Sequence, residues 1–63
     1  MKLLIYFKQG APAPFVNRYT HGPKDVKGID LAAAGNYLLV ETVDNRIDAV
    51  NLDTVYGYEV TES

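Results

Sequence analysis

The 63-residue sequence contains no cysteine, no tryptophan and only one histidine, His21. Without cysteine there is no disulfide, and a single histidine offers no cluster of ligands for a structural zinc ion. A chain of this length buries only about 60% of the surface that its unfolded form exposes, so its core alone gives little stability. Self-association is the remaining way to bury more surface, and we therefore expect a homo-oligomer.

Long apolar runs are also missing. The run that begins at Leu3 ends at Phe7 and is followed by Lys8. Such a run is shorter than the ~7–15 residues of a signal-peptide core and far shorter than the ~18 residues of a membrane span. The absence of cysteine is compatible with a reducing compartment. The sequence thus predicts a cytoplasmic protein without a membrane partner.

The residue types that catalytic and metal sites need are scarce. Carboxylates are the main metal ligands left, and Asp44, Asp48 and Asp53 lack the spacing and the central glycine of a calcium loop. Thr20 lies beside a base, His21, but no third residue is identifiable that would orient the pair. We predict no enzymatic activity, no metal site and no cofactor.

Charge is unevenly distributed along the chain. Residues 1–27 carry five basic side chains and one acidic side chain, a net charge of +4. Residues 28–63 carry one basic and seven acidic side chains, a net charge of −6. The two halves are electrostatically complementary. Either they meet within one fold, or the basic half of one copy faces the acidic half of another.

Short runs of β-branched and aromatic residues, separated by turn residues, predict an all-β fold. Residues 2–8, 37–43 and 55–60 predict the first, the central and the last strand, with a sharp bend at 51–54. We expect a single domain over residues 1–63. Its architecture is a small antiparallel meander or a partly open five-stranded barrel, with at most one short helical turn.

The turn before the central strand has two interpretations. Gly35-Asn36 suits a two-residue hairpin turn, which pairs Leu31 with Val40 and Ala33 with Leu38. Alternatively, residues 30–35 form one helical turn that Asp30 caps and Gly35 ends. The hairpin accounts for more of the pattern because it places small and branched apolar residues on one face.

The turn after the central strand also leaves two registers open. A two-residue turn at Asp44-Asn45 sets Glu41 opposite Asp48, a like-charge pair that costs stability. A three-residue loop over residues 44–46 removes this pair but requires Arg46 to adopt a left-handed conformation, which suits it poorly. The sequence does not decide between them.

Residues 10–28 hold all three prolines, the only histidine and three of the five glycines. Proline favours extended geometry before it and cannot donate a hydrogen bond, so residues 11–14 predict an extended connector and 15–19 a short edge strand. We expect the whole segment to be an ordered connector. The alternative is a ligand loop in which Arg18, His21 and Lys24 bind an anion.

Two predicted strands are apolar on both faces. In the first, Leu3, Ile5 and Phe7 alternate with Leu4 and Tyr6, and the central strand shows the same pattern. One face packs in the core, and a chain without long helices has little with which to cover the other. The expected interface combines these second faces, Val43 included, with two tyrosines of the last strand: Leu4, Tyr6, Tyr37, Leu39, Val43, Tyr56 and Tyr58.

The segment DNRIDAVNLDTVYGYEV, residues 44–60, resembles the closing segment of small uncharacterised β proteins from Gram-positive bacteria and their phages. In these proteins a strand runs into Asn-Leu-Asp and the last strand ends with a glutamate. The resemblance implies a compact β meander or small barrel, with a prophage as one source, and it assigns no catalytic residue.

Two functional hypotheses follow from these patterns. The first is a non-enzymatic protein-interaction module, such as a phage or prophage accessory protein that self-associates or binds a host or virion protein. The alternative is a small barrel that binds nucleic acid through the basic half. Asp53 and Glu59 flank the last tyrosines where such a site needs basic residues, which disfavours the alternative. The basic residues concerned are Lys2, Lys8, Arg18, Lys24 and Lys27.

Overall fold

In the computed structural model, which describes residues 1–32 and 34–62, five strands form an antiparallel sheet that does not close into a barrel. This confirms the predicted fold class. The elements are β1 (Lys2–Phe7), α1 (Ala13–Tyr19), β2 (Lys24–Leu31), β3 (Tyr37–Thr42), β4 (Ile47–Asn51), a 3₁₀ turn (Leu52–Thr54) and β5 (Val55–Thr61). The order of the strands in the sheet is β4-β3-β2-β1-β5, so β4 and β5 are the edge strands.

Strand β2 joins the two parts of the sheet. Its first residues pair with β1, where Asp25 lies opposite Lys2, and from Val26 onward it pairs with β3. The register shifts between Val26 and Gly28, which marks a β-bulge, and bulges bend the strand that carries them. A short pairing therefore connects the β1–β5 ladder to the β2–β3–β4 ladder.

The core lies on one face of the sheet, which we call the inner face. Leu3 and Ile5 of β1, Leu38 and Val40 of β3, and Val50 of β4 are fully buried there. Because successive side chains of a strand point to opposite faces, the residues between them lie on the other side, the outer face.

The edge strand predicted at residues 15–19 is wrong, because residues 13–19 form the helix α1. Pro12 takes the N-cap position and Pro14 lies in the first turn, where a helix has no use for the N–H that proline lacks. Phe15 and Tyr19 are four residues apart and therefore share one side of the helix, which packs on the core. The prolines that exclude a central strand are equally compatible with the start of a helix.

The turn between β2 and β3 differs from both interpretations. Leu31 pairs with Leu38, so the predicted pairings of Leu31 with Val40 and of Ala33 with Leu38 are wrong, and Ala33 itself lies outside the described residues. Residues up to Leu31 are in β2, which also excludes a helical turn capped by Asp30. The cause is a tertiary contact: the Asn36 carbonyl accepts a hydrogen bond from the Leu52 amide at 2.8 Å, which anchors the loop to the 3₁₀ turn.

The turn between β3 and β4 follows neither predicted register. The Thr42 amide donates to the Arg46 carbonyl at 2.8 Å, so three residues, 43–45, form the loop, and Val40 pairs with Asp48. This register sets Glu41 opposite Ile47 and so avoids the like-charge pair. The left-handed position falls on Asn45, whose φ is 66°, and asparagine tolerates this conformation far better than arginine.

The turn at Asn45 gives a first prediction. We expect Asn45→Ala to lower the free energy of unfolding by about 1 kcal/mol more than Asn45→Gly, because only alanine carries a Cβ that the left-handed conformation crowds. Both variants lose the hydrogen bond that Lys27 donates to the Asn45 side chain, so their difference isolates the backbone effect. Urea unfolding followed by circular dichroism measures it, and equal losses would contradict the proposed turn.

Candidate interaction surface

A buried polar cluster holds α1 against β4. Asp48 lies on the inner face and is 8% exposed, and its Oδ2 accepts hydrogen bonds from Arg18 Nη1 at 2.7 Å and from Tyr19 Oη at 2.5 Å. A buried carboxylate is costly unless it is paired and hydrogen-bonded. Arg18 and Tyr19 meet both needs, so the cluster fixes the position of the helix.

The protonation states in this cluster suit a structural role. Burial, and next the hydrogen bond to Asp48, raise the pKa of Tyr19 well above its usual range. The hydrogen bond to Asp48 also raises the pKa of Arg18. Tyr19 is therefore a neutral donor and Arg18 a cation at physiological pH, and neither group transfers protons near neutrality.

The cluster gives a second prediction. We expect Tyr19→Phe to lower the free energy of unfolding by about 2 kcal/mol, because it removes a hydrogen bond to a charged and buried acceptor while keeping the ring. Tyr56→Phe is the matched control, since Tyr56 is exposed, and we expect it to stay within about 0.5 kcal/mol of the unmodified chain. Thermal or urea unfolding measures both. Similar effects of the two substitutions would show that the Tyr19 hydroxyl does not hold the helix.

The three candidate anion-binding residues have different environments. The guanidinium of Arg18 is engaged by Asp48, His21 is exposed in the bend that follows α1, and Lys24 is half-buried in β2 opposite Leu3. Anion binding by this set stays a prediction. Within residues 1–32 and 34–62, no group of three or more His, Cys, Asp or Glu side chains is placed to hold a metal ion.

The predicted interface residues do not form one surface. Leu4 and Tyr6 lie on the outer face of β1, and Tyr37 and Leu39 lie on the outer face of β3. The other three are elsewhere. Tyr58 pairs with Ile5 on the inner face, Tyr56 is left unpaired by a bulge in the β1–β5 ladder, and Val43 is in the β3–β4 turn.

The outer face of the β2–β3–β4 ladder carries a shallow apolar depression. Its volume is about 340 Å³, and Leu39 and Ile47 supply apolar side chains while Asp30 and Glu41 supply carboxylates. A Cβ at Gly28 would meet no atom within 4 Å, so the missing side chain helps to leave the depression open. This surface suits an apolar group with basic neighbours.

Exposed apolar side chains are most concentrated around β5. Tyr56 is 78% exposed, and Tyr58 and Val60 are 37% and 39% exposed. Tyr6 lies opposite Gly57 on the neighbouring strand, and Leu31 lines a cavity of about 290 Å³ together with Tyr58. Five of the exposed large hydrophobic residues therefore lie on β5 or beside it.

Glu59 is the single charged residue of β5, and its carboxylate is hydrogen-bonded to the neighbouring strand β1. Glu59 Oε1 accepts a hydrogen bond from Tyr6 Oη at 2.7 Å on the outer face. This hydrogen bond is the main cause that raises the pKa of Tyr6, followed by desolvation and the charge of Glu59. The one charge of β5 therefore lies on the outer face, where Tyr6 engages it, and the inner face of the strand carries none.

Sequence reasoning missed three exposed apolar residues: Leu31, Ile47 and Val60. Val60 alternates with Glu59 and so shares a side with Tyr58, a signal that was readable from the sequence. Leu31 and Ile47 depend on the hairpin registers, which the sequence left open or predicted wrongly.

No family model, no curated protein and no solved structure matches this chain. In the part of the chain that the structure describes, no helix has the length and apolar character needed to cross a membrane. The function is therefore inferred from the depression on the outer face and from the exposed apolar residues around β5.

Proposed function

We propose that this chain is a non-enzymatic protein-interaction module that associates with itself. The observation that carries the proposal is the balance of apolar residues. Among the described residues, eight hydrophobic residues are buried in the core and eight large hydrophobic side chains are exposed. A module that stays monomeric would leave each of these eight side chains at least 37% exposed to water.

The energetic scale supports association. Covering apolar surface contributes about 25 cal/mol per Å². A few large side chains therefore contribute several kcal/mol, a large share of the ~5–15 kcal/mol that stabilises a typical domain. Two surfaces offer this gain: the outer face with its depression, and the apolar edge strand β5.

The resemblance of residues 44–60 supports a more specific form of the proposal. In that form the chain is a phage or prophage accessory protein in the cytoplasm, and its additional partner is a host or virion protein. The depression beside Leu39 and Ile47, with Asp30 and Glu41 at its margin, is a surface for such a partner.

Size-exclusion chromatography coupled to light scattering tests self-association. The chain has a mass of 7.0 kDa, and we expect a species of twice that mass or more at micromolar concentration, dissociating on dilution. The physical reason is the apolar area that a second copy covers. A species of 7.0 kDa at every concentration measured would contradict the proposal.

Nucleic-acid binding stays the alternative prediction, and the basic side chains are only partly free for it. Lys2 is paired with Asp25 at 2.9 Å and Arg18 with Asp48 at 2.7 Å, while Lys8 lies 5.8 Å from the centre of the Tyr56 ring. We expect no submicromolar binding of single-stranded DNA or RNA in a filter-binding assay. Tight binding that weakens steeply between two salt concentrations would favour the alternative.

A further inference from the structure

We infer that the free edge of β5 is the self-association interface, where it pairs antiparallel with β5 of a second copy about a twofold axis at Tyr58. The inference rests on the proposed self-association and specifies its surface. It makes one continuous sheet of ten strands from two copies.

The backbone groups at this edge can be identified from the hydrogen-bond pattern. The Val26 amide donates to the Met1 carbonyl at 2.9 Å, so the odd-numbered residues of β1 direct their backbone groups to β2. The even-numbered residues then bond to β5, as the bond from the Lys8 amide to the Thr54 carbonyl also shows. Tyr6 lies opposite Gly57, so the odd-numbered residues of β5 bond to β1. Because bonding sides alternate along an antiparallel strand, the backbone groups of the even-numbered residues Tyr58 and Val60 point away from β1.

The two edge strands differ in how well they resist pairing with another chain. Strand β4 has five residues and carries an inward-pointing charge, Asp48, and both features discourage strand addition. Strand β5 has seven residues, without proline or lysine, and its segment Gly57–Thr61 pairs regularly with β1. Glu59 is held by Tyr6 on the outer face. Strand β5 has a bulge at Tyr56 and one charge, but it has no inward-pointing charge and is longer than β4, so it is the less protected edge.

The side chains select one register. Tyr58 is the middle residue of Val55–Thr61, so a twofold axis at Tyr58 lets two copies of β5 overlap along their whole length. Glu59 then lies opposite Gly57 of the second copy, where a Cβ would meet no atom within 4 Å. An axis two residues closer to the C-terminus would use less of the strand, and an axis at Glu59 would set two carboxylates opposite each other.

This register also covers the exposed apolar residues of the strand. The two Tyr58 side chains become neighbours on the inner face, and Val60 lies opposite Tyr56 of the second copy. Aromatic and β-branched pairs of this kind stabilise antiparallel sheets. The pairing thus uses both the free backbone groups and the apolar side chains of one element.

Single-cysteine variants test the register, because the chain has no cysteine of its own. In the inferred dimer the two residues 58 form a hydrogen-bonded pair with Cα atoms about 5.5 Å apart, which a disulfide can span. The two residues 60 are about four strand positions apart, or roughly 13 Å. We expect diamide to convert Tyr58→Cys into a covalent dimer, while Val60→Cys and the outer-face control Ile47→Cys stay largely monomeric on denaturing gels.

A second pair of variants tests the edge without changing Tyr58. Val60→Pro removes an N–H that the isolated chain does not use and blocks a neighbouring strand, so we expect a folded 7.0 kDa monomer by light scattering and circular dichroism. Leu39→Lys is the matched control on the outer face, and we expect it to leave the dimer intact.

The outcomes separate this inference from the proposed function. If Leu39→Lys abolishes the dimer and Val60→Pro does not, the interface is the outer face, and the β5 inference is wrong while self-association stands. Crosslinking of Val60→Cys in preference to Tyr58→Cys would overturn the register. If the unmodified chain is monomeric throughout, the proposed function and the inference both fail.

Discussion

The buried carboxylate of Asp48 is the constraint on which the rest of the structure depends. A seven-residue helix is too short to be stable alone, so α1 exists because the sheet holds it. Asp48 supplies that hold by accepting hydrogen bonds from two consecutive residues of the helix, Arg18 and Tyr19. The helix in turn buries Tyr19 completely against the core on the inner face. Since α1 is the one α-helix of residues 1–32 and 34–62, no second helix there covers the outer face or the edges.

The sequence predicted those parts of the fold that depend on local pattern. Three strands were located to within one residue at either end because their alternating apolar residues and turn boundaries are local features. The helix was missed because prolines at 12 and 14 fit an extended connector as well as a helix start. The helix depends on the hydrogen bond between Tyr19 and Asp48, which are 29 residues apart along the chain. A single sequence does not show such a contact.

The same reasoning explains which candidate surface residues were found. Tyr6, Tyr56 and Tyr58 were predicted from composition and alternation, and all three are exposed at or beside β5. Ile47 was not, because its place on the outer face depends on a hairpin whose left-handed residue is Asn45. Moving that residue by one position reverses every side chain of β4. The register of one turn therefore decides whether Asp48 or Ile47 faces the core.

Some of the opposite charges of the two halves of the sequence pair with each other within the fold. Arg18 of the basic half forms an ion pair with Asp48 of the acidic half, so the two halves meet in one chain. The acidic surplus that remains is distributed over turns and the outer face, and β5 contributes one carboxylate that Tyr6 already engages. Association through β5 then depends on backbone hydrogen bonds and apolar contacts, which salt screens far less than it screens surface charges. Electrostatic complementarity thus helps to stabilise this fold. Association of two copies relies on apolar surface instead.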